Sequence, residues 1–186
     1  RAVIVQEALR EEAEAALAES EIDPHRRIVF GGAPGAAVPA GWSGYEALLA
    51  AGPEAAPETD VQPQDLFALM YTSGTTGRPK GAMRSHEGNA LIALATALEF
   101  GLSADDTALL VMPLCHANSL YFAVTFTMLG ATIVVDDHAH FDPAATLAAL
   151  AESRITFTSL VPTHYVMLLG LPDAVKARHD LRAVGK

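Results

Sequence analysis

The chain has 186 residues, 51% apolar and 18% charged, enough for one sizeable core of the soluble globular kind. Its 12 basic and 22 acidic residues leave a formal net charge of −10. That excludes generic binding to nucleic acid or an anionic membrane surface, because no broad basic face exists to release counterions. The single cysteine, Cys115, excludes an internal disulfide and suits a reducing, cytoplasmic compartment.

The segment 1–5 runs into charged Glu7–Glu14 instead of an apolar core with a small-residue cleavage site, so no signal peptide is expected. Ala2–Val5 reads as a strand. Leu9, Ala13, Ala16 and Leu17 then fall at helical spacing, with Glu7, Arg10, Glu11 and Glu14 on the opposite face, which predicts an amphipathic helix. Asp23-Pro24 ends it, and Arg27–Gly32 is a short strand entering a turn. Ser43 is expected to cap a brief helix over Gly44–Ala51, terminated by Gly52-Pro53. Ala51–Gln64, rich in Ala, Pro and Glu, is a solvated connector. It reads as a surface loop in preference to a domain boundary, because Ile28–Phe30 and Leu66–Tyr71 are expected to share a sheet. The organisation expected is an upstream subregion with its connector, 1–64, followed by strand–helix units over 65–186.

Leu66–Tyr71 is predicted as a buried strand and Ser85–Phe100 as a helix. Next come a strand at Ala108–Met112, a helix at Asn118–Leu129, a strand at Ala131–Val135, a helix at Pro143–Glu152 and a strand at Ile155–Leu160. A last helix is opened by Pro162. Such alternation predicts an α/β fold, a mostly parallel sheet with helices on both faces and ligands at the carboxyl ends of the strands. The two central helices are apolar nearly all round and are expected to be covered on more than one side. Ala117–Val135 is uncharged and nearly long enough to span a membrane. Its Asn, Ser and Thr residues, and Gly130 before a β-branched run, instead favour helix, cap and strand, so no membrane span is expected.

Between the strand and the helix of this second part lies Tyr71-Thr72-Ser73-Gly74-Thr75-Thr76-Gly77-Arg78-Pro79-Lys80-Gly81. Its three glycines are expected to adopt positive φ and let consecutive N–H groups point inward at an anion. Hydroxyls on Thr72, Ser73, Thr75 and Thr76 add rotatable donors, and Lys80 adds a point charge. This is a loop for phosphate. It is not the P-loop of kinases and NTPases, which requires Ser or Thr after the lysine, where this chain has Gly81.

The run resembles the Y-T-S-G-T-T-G-x-P-K-G signature of the adenylate-forming superfamily, which comprises acyl-CoA synthetases, firefly-type luciferases and the adenylation domains of peptide synthetases. Pro113-Leu114-Cys115-His116, between a strand and a helix, is similar to a second signature, P-L-F-H-x-x-G. This chain departs from it at Cys115, usually aromatic, and at Ser119, usually glycine. Ser85-His86, Gly130-Ala131-Thr132 and Thr156–Pro162 look like acyl-CoA synthetases in particular. The resemblance implies a two-step ligation using ATP, Mg2+ and coenzyme A on a small-molecule carboxylate, with a fatty acid among the candidates. It gives Thr72, Ser73, Gly74, Thr75, Thr76, Gly77 and Lys80 the role of holding phosphates, and sets His116 beside the carboxyl end of the acid. The family's magnesium glutamate, ribose aspartate and C-terminal lysine belong to segments not found in 1–186, so the chain is expected to be an internal piece of the large domain and inactive alone. The rival reading is a non-catalytic phosphate-binding module or a structural fragment.

Asp136-Asp137-His138-Ala139-His140 holds oxygen and nitrogen ligands, with His138 and His140 on one face if extended, but no third ligand at a recognisable spacing, and no metal is assigned. A Cys115–His116 nucleophile pair is disfavoured because adjacent residues in an extended stretch point apart.

Overall fold

The computed structural model describes residues 2–33, 36–72, 79–138 and 140–186, with the side chain of Thr72 excepted. It divides into two compact units, Arg1–Thr59 and Asp60–Lys186.

In the first unit β1 (Val3–Gln6) leads through a short 3-10 turn into α1 (Arg10–Leu17), and β2 (Arg27–Phe30), β3 (Ser43–Gly44) and α2 (Tyr45–Ala51) follow. The strands form a parallel sheet in the order β1-β2-β3. Leu17, Val29 and Trp42 are buried together, with Val3, Val5 and Ala13 packed around them. Of the apolar face read from the sequence, Ala13 and Leu17 belong to this cluster, whereas Ala16 is exposed and Leu9, 56% exposed, precedes α1. Ser43 does not cap α2: it belongs to β3, and the N-cap is Gly44, which offers no side chain to bond.

The second unit opens with β4 (Leu66–Thr72) and β5 (Lys80–Ser85), an antiparallel pair in register from Ala68↔Arg84 to Thr72↔Lys80, with a bulge between Leu66 and Ala68. One expectation fails here: β4 is not buried, since Leu66, Leu69 and Tyr71 are 52%, 46% and 69% exposed. Its hydrogen-bonded neighbour is β5, a strand absent from the sequence reading. The division between the two units falls inside the exposed connector.

Ser85 then caps α3 (His86–Phe100), its Oγ accepting from the Gly88 N–H at 3.1 Å, and Gly101 at φ 58° ends the helix in the left-handed conformation. After β6 (Thr107–Leu110), α4 (Ala117–Leu129), β7 (Thr132–Val135), α5 (Pro143–Glu152) and β8 (Phe157–Thr158), the chain closes with α6 (Pro162–Leu169) and α7 (Asp173–Lys176). The parallel sheet runs β7-β6-β8. Because side chains alternate along a strand, β6 feeds two cores. Ala108 and Leu110 join Ala97, Leu102, Phe126 and Phe157 on one face, and Leu109 joins Leu150 and Ile155 on the other. Helices therefore lie on both faces, as the alternation of elements predicts. α3, however, is covered on one side only: Leu91, Leu94 and Leu98 stay 60%, 51% and 84% exposed.

Below the sheet, at the amino end of β6, buried Asp106 accepts from Lys186 Nζ at 2.8 Å, from the Thr156 hydroxyl at 2.7 Å and from the Ser103 N–H at 2.8 Å. Burial alone would raise its carboxyl pKa, but these donors outweigh it and hold the group at about 2.

Candidate functional site

Lys80, the cation of the run expected to bind phosphate, is the first residue of β5 and the exposed partner of Thr72 in the closing pair of the hairpin. The connection is thus carried by two strands hydrogen-bonded to each other, not by a strand followed directly by a helix. Ser73, Gly74, Thr75, Thr76 and Gly77 lie outside the described residues. Gly81 corrects part of the sequence reading: it is paired to Tyr71 in β5 and has no positive φ. A Cβ there would meet Leu69 Cδ1 at 2.8 Å, so this glycine answers to a cross-strand neighbour.

His116 sits at the carboxyl end of β6, exposed, in a turn closed by its N–H donating to the Pro113 carbonyl at 2.8 Å. It is the N-cap of α4. Its Nδ1 accepts from the Asn118 N–H at 3.2 Å. With Nδ1 engaged as an acceptor, the neutral ring carries its proton on Nε2, which is left to donate to a ligand. The same bond removes His116 Nδ1 as a base for exposed, free Cys115.

The neighbouring strand exits bring further polar groups to this edge of the sheet. Asn118 Nδ2 donates to Ser159 Oγ at 2.7 Å, tying the start of α4 to the chain leaving β8. Ser119 is buried and its hydroxyl has no hydrogen-bond partner among the described residues, so the departure from glycine places a side chain in the first turn of α4. Phe141 and His164 stack at 3.9 Å between ring centroids, 9° from parallel. Beyond β7, His138 Nδ1–H donates to Asp136 Oδ1 at 2.5 Å, and this hydrogen bond pushes the His138 imidazole upward. Asp136, Asp137 and His138 have ligand atoms within 4.8 Å of one another, without His140. Two of the three are exposed and the third is engaged by His138, an arrangement that solvent and the ion pair account for without a metal. Sequence reasoning missed Asn118, Ser159, Phe141 and His164. The available signal was their place in the connections and first helical turns that follow the strands, the side on which open α/β sheets bind ligands.

A cleft of about 410 Å³ belongs to the first unit, lined by Val29, Phe30, Val38 and Tyr45 among others. Its charged lining groups, Glu7 and Glu46, are acidic and repel a phosphate or a carboxylate. Among the described residues no helix is long and apolar enough to cross a membrane.

A family model described as AMP-binding enzyme matches residues 1–185. The indoleacetate–CoA ligase of Aromatoleum aromaticum is 42% identical over 138 residues, 73% of this chain and 27% of that protein. A medium/long-chain-fatty-acid–CoA ligase of Mycobacterium tuberculosis is 37% identical over 62% of this chain and 20% of its own length. The chain therefore spans about a quarter of the curated relatives it matches. Among solved structures, the inhibitor-bound N-terminal domain of FACL13 from M. tuberculosis superposes with a TM-score of 0.72 at 26% identity, over 94% of this chain and 46% of that one.

Proposed function

Because the chain belongs to the AMP-binding enzyme family, we propose that it carries the phosphate-binding and acid-binding groups of an acyl-CoA ligase, within that enzyme's large domain. A carboxylate oxygen attacks the α-phosphorus of ATP, and the bond to the bridging oxygen breaks. Pyrophosphate departs with the electron pair. The coenzyme A thiolate then attacks the acyl carbon and expels AMP. Charge grows on the β- and γ-phosphates in the first step. Lys80, the hydroxyls of Thr72, Ser73, Thr75 and Thr76 and the backbone at Gly74 and Gly77 are assigned to hold it.

The observation that carries this reading is the hairpin closing at Thr72↔Lys80, which returns an exposed ammonium to the base of the hydroxyl- and glycine-rich connection. His116, with Nε2–H free to donate, is assigned to the carboxylate of the acid. Mg2+ on the phosphates would supply further charge neutralisation. The carboxylates that cluster lie past β7, not on the hairpin, so no residue described is assigned to the ion. The acid is an apolar carboxylate, with arylacetates of the kind named for the Aromatoleum relative tried first and fatty acids second. A reducing cytoplasm suits exposed, unpaired Cys115.

The test is carboxylate-dependent exchange of labelled pyrophosphate into ATP by the full-length enzyme, across aryl and alkyl acids. Exchange with at least one acid, followed by thioester formation with coenzyme A, is the expected result. ATP binding without exchange for any acid would make the protein a nucleotide-binding module.

A further inference from the structure

Arg84 lies on β5, paired with Ala68, and its guanidinium carbon stands 4.0 Å from the centroid of the Tyr121 ring on α4. Both terminal nitrogens, Nη1 and Nη2, are sealed from solvent and have no hydrogen-bond partner among the described residues. A cation over an aromatic face is attracted by the ring, but that attraction is modest beside the cost of removing a charged group and its donors from water. An apolar side chain of the same reach, such as methionine, would fill this place without that cost. Fold stability therefore gives no reason for an arginine here. Nor does a diffusing anion reach the guanidinium, because the donor atoms are covered.

What the contact does join is informative. Arg84 stands on the strand that begins at Lys80, and Tyr121 on the helix whose first turn is capped by His116. We infer that Arg84 is a positioning residue. Its guanidinium, centred over the Tyr121 ring, locks the phosphate-binding hairpin to the acid-binding helix, so that the groups held by each keep one separation. Adenylation needs the carboxylate oxygen in line with the α-phosphorus, and a shift near 1 Å costs on the order of 10²-fold in rate. A guanidinium held over the ring by its charge resists displacement, which a flexible thioether would allow. The kinetic part of this inference rests on the function proposed above; the mechanical part does not.

The test uses the full-length enzyme with Arg84→Met, Arg84→Lys and Tyr121→Leu, and the Met–Leu double variant. Two readouts are taken: hydrogen–deuterium exchange of segments 80–85 and 117–121 without ligand, and the kinetics of pyrophosphate exchange. Arg84→Met is expected to speed deuterium uptake in both segments and to lower kcat roughly 10- to 100-fold, with KM for ATP and the melting temperature unchanged or the latter raised. Tyr121→Leu should act alike, the double variant no worse, and Arg84→Lys should recover only a minor part of the loss, because an ammonium keeps the charge over the ring without the planar fork. Unaltered uptake in Arg84→Met would overturn the inference whether or not the enzyme turns over any acid. So would a melting temperature or folding yield that falls with activity, or single effects that multiply in the double variant. Absence of exchange in the wild type would instead sink the proposed function, leaving deuterium uptake to decide the positioning role.

Discussion

At Lys80 the test of the phosphate assignment is a single charge. Lys80→Ala in the full-length enzyme is expected to lower kcat/KM for ATP by roughly 10- to 150-fold, the equivalent of about 1.5–3 kcal/mol for a charge-assisted hydrogen bond. An unchanged kcat/KM with a normal melting curve would remove it from the phosphate site. Asp106 makes a separate prediction, about stability. Its folded pKa of about 2 lies below the usual carboxylate value near 3.8, so the ionised form is the one that folding favours. The stabilisation is complete above about pH 4 and disappears as the pH falls towards 2. The side chain is 6% exposed, so solvent screens little, and the shift corresponds to about 2 kcal/mol. Asp106→Asn should lose about that much at pH 7 and match the native protein near pH 2. Urea unfolding at several pH values checks it, and equal midpoints at pH 7 would show that the network contributes nothing net.

At the level of elements, α4 unites two roles in one residue. His116 caps the helix through Nδ1 and is assigned to the acid through Nε2. His116→Ala should therefore cost about 1 kcal/mol of stability, as loss of a cap does, and should shift the ranking of acids before it alters KM for ATP. Asn at the same position can cap but does not extend to the acid, so His116→Asn should restore the melting temperature and not the selectivity. A change in KM for ATP alone would refute the assignment. Elements with local signals were legible in the sequence. α5 opens with Pro143 after the capping Asp142, α6 opens with Pro162, and Gly130 ends α4 at φ 68°. β5 was not legible. Lys80-Gly81-Ala82-Met83-Arg84-Ser85 lacks a β-branched run, and it is a strand because β4 lies opposite it, a non-local cause. The position of His116 at a strand end could be foreseen. Its tautomer, and the closure of the phosphate-binding run by a strand pair, depend on partners that spacing does not reveal.

At the scale of the molecule, residues 1–186 leave apolar faces uncovered on the second unit. Leu91, Leu94 and Leu98 on α3, and Leu69, Tyr71 and Met83 on the hairpin, are each between 46% and 84% exposed. Contiguous apolar surface of this kind drives association in water. These residues expressed alone are expected to self-associate in a concentration-dependent way, and Leu91→Glu with Leu98→Lys should shift light-scattering mass towards the monomer. The same separation bears on chemistry. The chain spans about a quarter of its ligase relatives, and it lacks the glutamate, aspartate and lysine that the family resemblance assigns to magnesium, ribose and catalysis. The run assigned to phosphate would favour departing pyrophosphate, but in-line attack also needs the α-phosphorus and the ribose held still, and each lost constraint multiplies against the rate. Residues 1–186 alone should thus give no carboxylate-dependent pyrophosphate exchange above a Lys80→Ala control, even as the solubilised double variant. Exchange above that control would show that the hairpin, His116 and the sheet edge suffice for adenylation, and that the remaining length of such ligases serves the thioester step.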